Sequence, residues 1–275
     1  MTDDFTFYFG SASNHAQKAC QRLEEPNVML SYVTNNNEPW DCERLFIDSG
    51  GYSLLYSGED HGSVDEYLRY IERVNPDIFA LQDWPCEPHL RQEMDRSVSE
   101  HQELTAQRAS ETLEKLDRYD IDAQPVAVLQ GWHRDEYLDC IRLFDEYGVL
   151  TDYIGIGSVC RRNATRDIRA VINSVHRELP NRDLHAFGVK TDVLVHDKTR
   201  NALTSSDSLA FEFRMMFDRP FDEHWLNCAY HYLNMKARVN DAIDDTTISE
   251  EQSTLCPRNP QGKPFEGDTA GDTDE

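Results

Sequence analysis

Short runs of apolar and β-branched residues recur along the chain at Phe5–Phe9, Val28–Val33, Leu45–Asp48, Ile78–Gln82, Pro125–Gln130, Tyr153–Ser158, His185–Val189 and Ala202–Ser206, and these eight segments predict strands. Between most of them the apolar positions follow helical spacing: Val64–Val74, the long polar stretch Leu90–Tyr119, Asp135–Tyr147 and Thr165–Leu179. Strands that alternate with helices require right-handed crossovers and a parallel sheet, and eight of them predict an α/β fold of the (β/α)8 TIM-barrel type. Residues 35–44 and 191–201 are too short or irregular for crossover helices, which leaves a distorted or incomplete barrel open. An amphipathic helix over Asp222–Ala242 is expected to pack across the barrel, completing one domain over residues 1–243. The remainder, 244–275, is polar, acidic and rich in Gly, Pro and Thr, a composition expected of a disordered tail.

Composition changes this picture little but narrows the setting. The 275 residues suffice for one large domain. Asp and Glu number 51 against 27 Lys and Arg, giving a net charge of −24, and only six of the cations are Lys (18, 115, 190, 198, 236 and 263). Acidity of this kind ordinarily argues against a polyanionic partner. Abundant carboxylate with scarce lysine is, however, the pattern expected of a high-salt proteome in an archaeon or its virus, where charge is strongly screened. Neither end has an apolar run fit for a signal peptide or membrane span, so a cytoplasmic protein with no membrane partner is expected. The seven cysteines show no paired spacing and are read as reduced thiols.

Active sites of such barrels assemble at the C-terminal ends of the strands. Those ends read Asp48-Ser49-Gly50-Gly51-Tyr52, Gln82-Asp83-Trp84-Pro85, Gln130-Gly131-Trp132, Gly155-Ile156-Gly157-Ser158, Gly188-Val189-Lys190 and Ser205-Ser206-Asp207-Ser208. Carboxylates can serve as nucleophile and general acid/base at an anomeric carbon, an amide can read the polar edge of a base, and glycines let backbone approach a flat ligand. Asp48-Ser49-Gly50-Gly51 alone is equally a capped turn, and Asp207 alone is equally a helix cap.

The segment Leu45–Ala210 resembles the tRNA-guanine transglycosylases and their DNA-modifying relatives, the DNA 7-deazaguanine transglycosylases. The resemblance is carried by Phe46-Ile47-Asp48-Ser49-Gly50-Gly51-Tyr52, by Val128-Leu129-Gln130-Gly131 and by Ile154-Gly155-Ile156-Gly157. It implies exchange of guanine for a free 7-deazaguanine base with no metal or redox cofactor. Asp48 would be the general acid/base, Asp83 would bind the N1 and amine edge, Gln130 and the backbone near Gly157 would read O6, and Tyr52 would stack on the base. Ser49, Gly50, Gly51, Gly131, Gly155 and Gly188 would complete the pocket. Asp207 would be the nucleophile by position alone, with Asp192 and Asp197 as weaker candidates, because its segment departs from the Asp-rich one of the tRNA enzymes.

The Cys-x-Cys-x-x-Cys zinc motif of those tRNA enzymes is missing. His224, Cys228 and His231 share a helix face and could bind zinc with Cys256, although a half-buried face of ordinary residues is the preferred reading. Arg161, Arg162, Lys190 and Arg200, with Arg166, Arg169 and Lys198 nearby, could meet nucleic-acid phosphates; the alternative is a solvated helix start paired with Asp167 and Glu178. DNA is preferred over tRNA because the zinc subdomain is gone. A non-catalytic nucleic-acid-binding barrel is the alternative of another class, and a sugar hydrolase draws little support from Trp84 and Trp132. Oligomeric state is not legible.

Overall fold

A computed structural model describes residues 5–35, 40–160, 162 and 164–244. Eight parallel strands, β1 (Thr6–Gly10), β2 (Asn27–Ser31), β3 (Arg44–Asp48), β4 (Ile78–Ala80), β5 (Gln124–Leu129), β6 (Tyr153–Ile156), β7 (Asp183–Ala186) and β8 (Ser205–Ser208), close into a barrel in sequence order. The seam pairs Tyr8 of β1 with Asp207 of β8. Around the barrel run α1 (Asn14–Arg22), α2 (Gly51–Tyr56), α3 (Val64–Val74), α4 (Pro88–Met94), α5 (Val98–Leu116), α6 (Arg134–Tyr147), α7 (Thr165–Glu178), α8 (Thr191–Leu194), α9 (Asp197–Arg200), α10 (Ala210–Arg214) and α11 (His224–Asp244).

Strand alternation divides the core in two. Phe7 and Phe9, Leu45 and Ile47, and Ala127 and Leu129 face outward into the layer shared with the helices. Tyr8, Met29, Phe46, Ile78, Ala80, Val126, Val128 and Tyr153 fill the interior. The helices answer that outer layer: on α3, Val64, Tyr67, Leu68, Ile71 and Val74 are buried, behind a capping box made by Ser63 and Glu66.

All eight expected strands form, with β7 and β8 displaced from their expected limits. The polar stretch read as one helix is two: Asp95 ends α4 in the left-handed conformation (φ 50°), and Ser97 starts α5 with its own capping box to Glu100. Helices α1 and α2 were not anticipated; α2 begins inside the Asp48-Ser49-Gly50-Gly51 motif. Residues 191–201 contribute only α8 and α9, each one turn long, yet the barrel closes. The last helix packs on α1, α8 and α10. There Lys236 Nζ lies 2.6 Å from Glu25 Oε2, and the Tyr232 hydroxyl donates to the same carboxylate. No described helix is long and apolar enough to cross a membrane. The acidic tail from 245 onward lies outside the described residues.

Phe46 is fully buried at the centre of the interior, its ring 5.5 Å from Tyr8 and 4.8 Å from His185. Phe46→Ala is expected to lower stability by about 3–5 kcal/mol, measured by urea unfolding.

Candidate active site

The inward positions of β3, β5 and β8 continue past the apolar layer into polar residues. Asp48 follows Phe46 by two, Gln130 follows Val126 and Val128, and Asp207 follows Ser205, so the two-residue repeat turns all three toward one cavity. Asp83 arrives differently. Strand β4 ends at Ala80, two residues earlier than expected, and the chain that leaves it carries Asp83 to the same cavity. The cavity has a volume of about 440 Å³, within the range of small-ligand sites.

Asp83 is held from three sides. Ser49 Oγ donates to its Oδ1 at 2.6 Å, Gln130 Nε2 donates to its Oδ2, and the ring of His61 donates from Nε2 to its backbone carbonyl at 2.7 Å. Burial pushes the Asp83 carboxyl up to about 6, against the lowering effect of the Ser49 and Gln130 hydrogen bonds. Asp48 is pushed up to about 7, first by burial and then by the charges of Asp83 and Asp207, while the backbone N–H groups of Gly50 and Ser49 oppose the rise. A carboxyl poised near neutrality can give and take a proton.

The amide of Gln130 is fixed at both ends. Its Oε1 lies 2.7 Å from Ser158 Oγ, which also lies 2.8 Å from Glu87 Oε2 and accepts from Cys86 N–H at 2.7 Å. One hydroxyl hydrogen cannot serve two acceptors fully. Burial raises the Glu87 carboxyl, while the Ser158 hydroxyl and the Arg162 charge oppose the rise. Ser158 itself sits at a positive φ of 51°. A Cβ on Gly157 would come within 2.2 Å of Gln130 Nε2, so only glycine admits that side chain.

Asp207 is 5% exposed and lies on the opposite side of the barrel from β4. Its Oδ1 accepts from Gly188 N–H at 2.7 Å and lies 3.2 Å from Nε2 of the fully buried His185. Gly188 adopts φ 64°, and a Cβ there would meet Cys160 Cβ at 2.6 Å, so glycine is what lets this N–H point at the carboxylate.

Of the pocket residues expected from sequence, Gly51, Tyr52, Asp83, Gln130, Gly157 and Gly188 line the cavity with Asp48 and Asp207. The other four stand behind it. Ser49 grips Asp83, Gly50 places its N–H 3.1 Å from Asp48 Oδ2, Gly131 packs on Tyr137, and Gly155 lies under the Phe187 ring. Asp192 is an exposed residue of a neighbouring cleft, and Asp197 pairs with Arg200 at 2.8 Å. Neither lines the cavity.

Two of the cations considered for phosphate contact, Arg162 and Arg200, turn inward. Arg162 is 8% exposed; its guanidinium donates to the carbonyls of Ser158, Trp132 and Gly131 and stacks 4.0 Å from the Trp132 ring. Arg200, equally buried, donates to the carbonyls of Leu194 and Ala242. The planar five-donor fork suits loose carbonyls at chain turns. Lys190 is exposed and lines the cavity, whereas Arg161 lies outside the described residues.

The residues considered for zinc have separate neighbours. His224 stacks on His15 at 5.1 Å, Cys228 Sγ lies 3.2 Å from Met215 Sδ, and His231 donates to the Asp218 carbonyl at 2.8 Å. Cys256 lies outside the described residues. Among the described residues no three His, Cys, Asp or Glu gather as a metal site.

Sequence reasoning missed Glu87, Ser158, His61, Phe187, His185 and Ser205. The signal for His185 and Ser205 was strand parity: each is a polar residue two positions before a cavity-lining one. Glu87 and His61 sit in loops, where no periodicity marks them.

The raised carboxyl of Asp48 carries a stability consequence. A group whose folded value exceeds its unfolded one stabilises the fold at low pH, and that contribution fades as pH rises from about 4 through about 7. Asp48→Asn is therefore expected to unfold at higher urea than the parent at pH 8, by on the order of 2 kcal/mol once cavity water is allowed for, with the gap closing toward pH 4.

The chain matches the family DeoxyPurine in DNA protein A (DpdA) over residues 29–252, which includes every cavity residue discussed except those of β1 and its following turn. No curated protein matches it.

Proposed function

Because this chain belongs to the DeoxyPurine in DNA protein A family, we propose that its cavity exchanges guanine in DNA for a 7-deazaguanine base through a covalent glycosyl-aspartate. The observation that carries the reading is the meeting of Asp48, Asp83, Gln130 and Asp207, remote in sequence, around one cavity of ligand size. The family's description, deoxypurine in DNA, favours DNA over tRNA as the polymer.

In the proposed cycle the target nucleotide leaves the helix stack, which costs about a few kcal/mol. The Asp83 carboxylate accepts the N1–H and exocyclic amine of guanine, Gln130 and the backbone near Gly157 serve O6, and Tyr52 and Phe187 offer aromatic faces. The Asp207 carboxylate attacks C1′ as the C1′–N9 bond breaks, and neutral Asp48 gives its proton to the departing base. Guanine then leaves the pocket while the sugar stays on Asp207 as an acylal-type ester. A free 7-deazaguanine takes guanine's place, and Asp48, now ionised, removes its N9 proton. The nitrogen displaces Asp207 from C1′, and both carboxyl groups return to their starting states. Splitting one displacement into two through the enzyme carboxylate leaves the anomeric configuration unchanged and needs no cofactor.

Incubating the protein with guanine-containing oligodeoxynucleotide and 7-deazaguanine, then digesting to nucleosides for mass spectrometry, tests the reading. A deazaguanine deoxynucleoside from the DNA is expected; its absence overturns the proposal, whether or not tRNA treated in parallel yields a deazaguanine ribonucleoside. Asp207→Ala is expected to abolish the denaturant-stable protein–DNA adduct. Asp48→Asn is expected to slow exchange by about 10²–10⁴-fold. In the parent, adduct formation is expected to decline as pH rises through about 7, because the first half-reaction draws on neutral Asp48; quenched-flow gels between pH 5 and 9 check this.

A further inference from the structure

Behind Asp207, on the side away from the cavity, lies a chain of polar groups inside an otherwise aromatic interior. His185 Nε2 is 3.2 Å from Asp207 Oδ1, His185 Nδ1 is 2.6 Å from Ser205 Oγ, and Ser205 Oγ is in turn bonded to the Tyr153 hydroxyl. His185 and Ser205 are fully buried and Tyr153 is 4% exposed. The imidazole is wedged among rings: Phe187 at 4.4 Å, Phe46 at 4.8 Å and Tyr8 at 6.2 Å. A polar residue here would cost stability unless satisfied, and this one is satisfied at both nitrogens.

The direction of the chain follows from its end. An ionised carboxylate only accepts, so Nε2 must carry a hydrogen. In the neutral imidazole Nδ1 is then a lone pair and accepts from the Ser205 hydroxyl. Ser205 Oγ, having given its hydrogen away, accepts from Tyr153, whose phenol is held protonated by burial. Each donor thus has one acceptor, and the tautomer of His185 is set by Asp207 and anchored from the far end.

Both bonds to the carboxylate, from Gly188 N–H and from His185, fall on Oδ1. Two donors from neighbouring points of one strand and its turn fix the rotation of the carboxyl plane, and Oδ2 is the oxygen that they leave unused. We propose that His185, held as the Nε2–H tautomer by Asp207 and anchored at Nδ1 by Ser205 and Tyr153, is a positioning residue that orients Asp207 so that Oδ2 alone attacks C1′. The inference rests on the base-exchange reading for its consequence, but not for the tautomer itself. During attack Oδ2 forms the bond to C1′, the C1′–N9 pair leaves with the base, and Oδ1 becomes the ester carbonyl oxygen, still held by the same two donors. His185 gains and loses no proton in the step.

The tautomer is read directly by ¹⁵N correlation spectroscopy of the imidazole in the full chain. Protonated Nε2 and lone-pair Nδ1 are expected for His185 in the parent, and also in Ser205→Ala because Asp207 still takes the Nε2 hydrogen; a parent protonated at Nδ1 overturns the proposal whatever the activity. For the consequence, Ser205→Ala is the informative variant, because Ser205 touches neither the cavity nor Asp207. It is expected to slow adduct formation by about 10- to 100-fold, and His185→Phe by about 100-fold or more, while 7-deazaguanine binds with unchanged Kd. His185→Gln, which can present an Nε2–H of similar reach, is expected to recover most of the rate. Equal rates in parent, Ser205→Ala and His185→Phe would overturn the positioning role alone, since the parent's adduct would still stand. A parent that forms no adduct would overturn base exchange, leaving the tautomer measurement to decide the hydrogen-bond chain.

Discussion

Closure of eight parallel strands is the constraint from which the site follows. Parallel strands that close on themselves present all their C-terminal ends at one mouth, and the two-residue alternation of side chains decides which residues enter it. Phe46, Val128 and Ser205 face the interior, so Asp48, Gln130 and Asp207 must follow them up to the cavity. The same alternation sends Ile47, Leu129 and Ser206 outward. Moving any of these strands by one residue would exchange the carboxylate for its apolar or hydroxyl neighbour.

A site built of acids in a partly buried mouth works against the fold that holds it. Asp48 and Asp83 are raised toward neutrality chiefly because burial disfavours negative charge there, with the charges of Asp83 and Asp207 adding to the rise at Asp48 and that of Glu87 at Asp83. They are met by neutral donors: Ser49, Gln130, the backbone of Gly50, and for Asp207 the backbone of Gly188 and the ring of His185. Neutral donors hold a carboxylate in place without quenching its basicity or nucleophilicity as an arginine would. Arg162, which lies close by, is directed at the carbonyls of Gly131, Trp132 and Ser158 and so braces the loops rather than the acids.

The overall charge of −24 is reconciled with a DNA-directed family through geometry rather than composition. Two of the arginines that looked suited to phosphate are internal braces, while Lys190 stays exposed at the cavity rim. Screening by salt reduces long-range repulsion between the acidic surface and a polyanion, so close contacts at the mouth count for more than net charge.

The linear sequence by itself determined the alternation of strands and helices, the barrel class, and the placing of Asp48, Asp83, Gln130 and Asp207 at strand ends, because periodicity and strand-end motifs are local signals. It did not separate α4 from α5, although Ser97 and Glu100 wrote the new cap plainly, and it gave Arg162 and Arg200 to solvent because a charge in sequence carries no record of its burial. Only the tertiary structure decided that Glu87 and Ser158 fix the amide of Gln130, that His61 steadies Asp83, and that His185, Ser205 and Tyr153 stand in line behind Asp207. Those contacts join residues 20 to 72 positions apart across different strands and loops. Chain closure creates that proximity, and no local pattern encodes it.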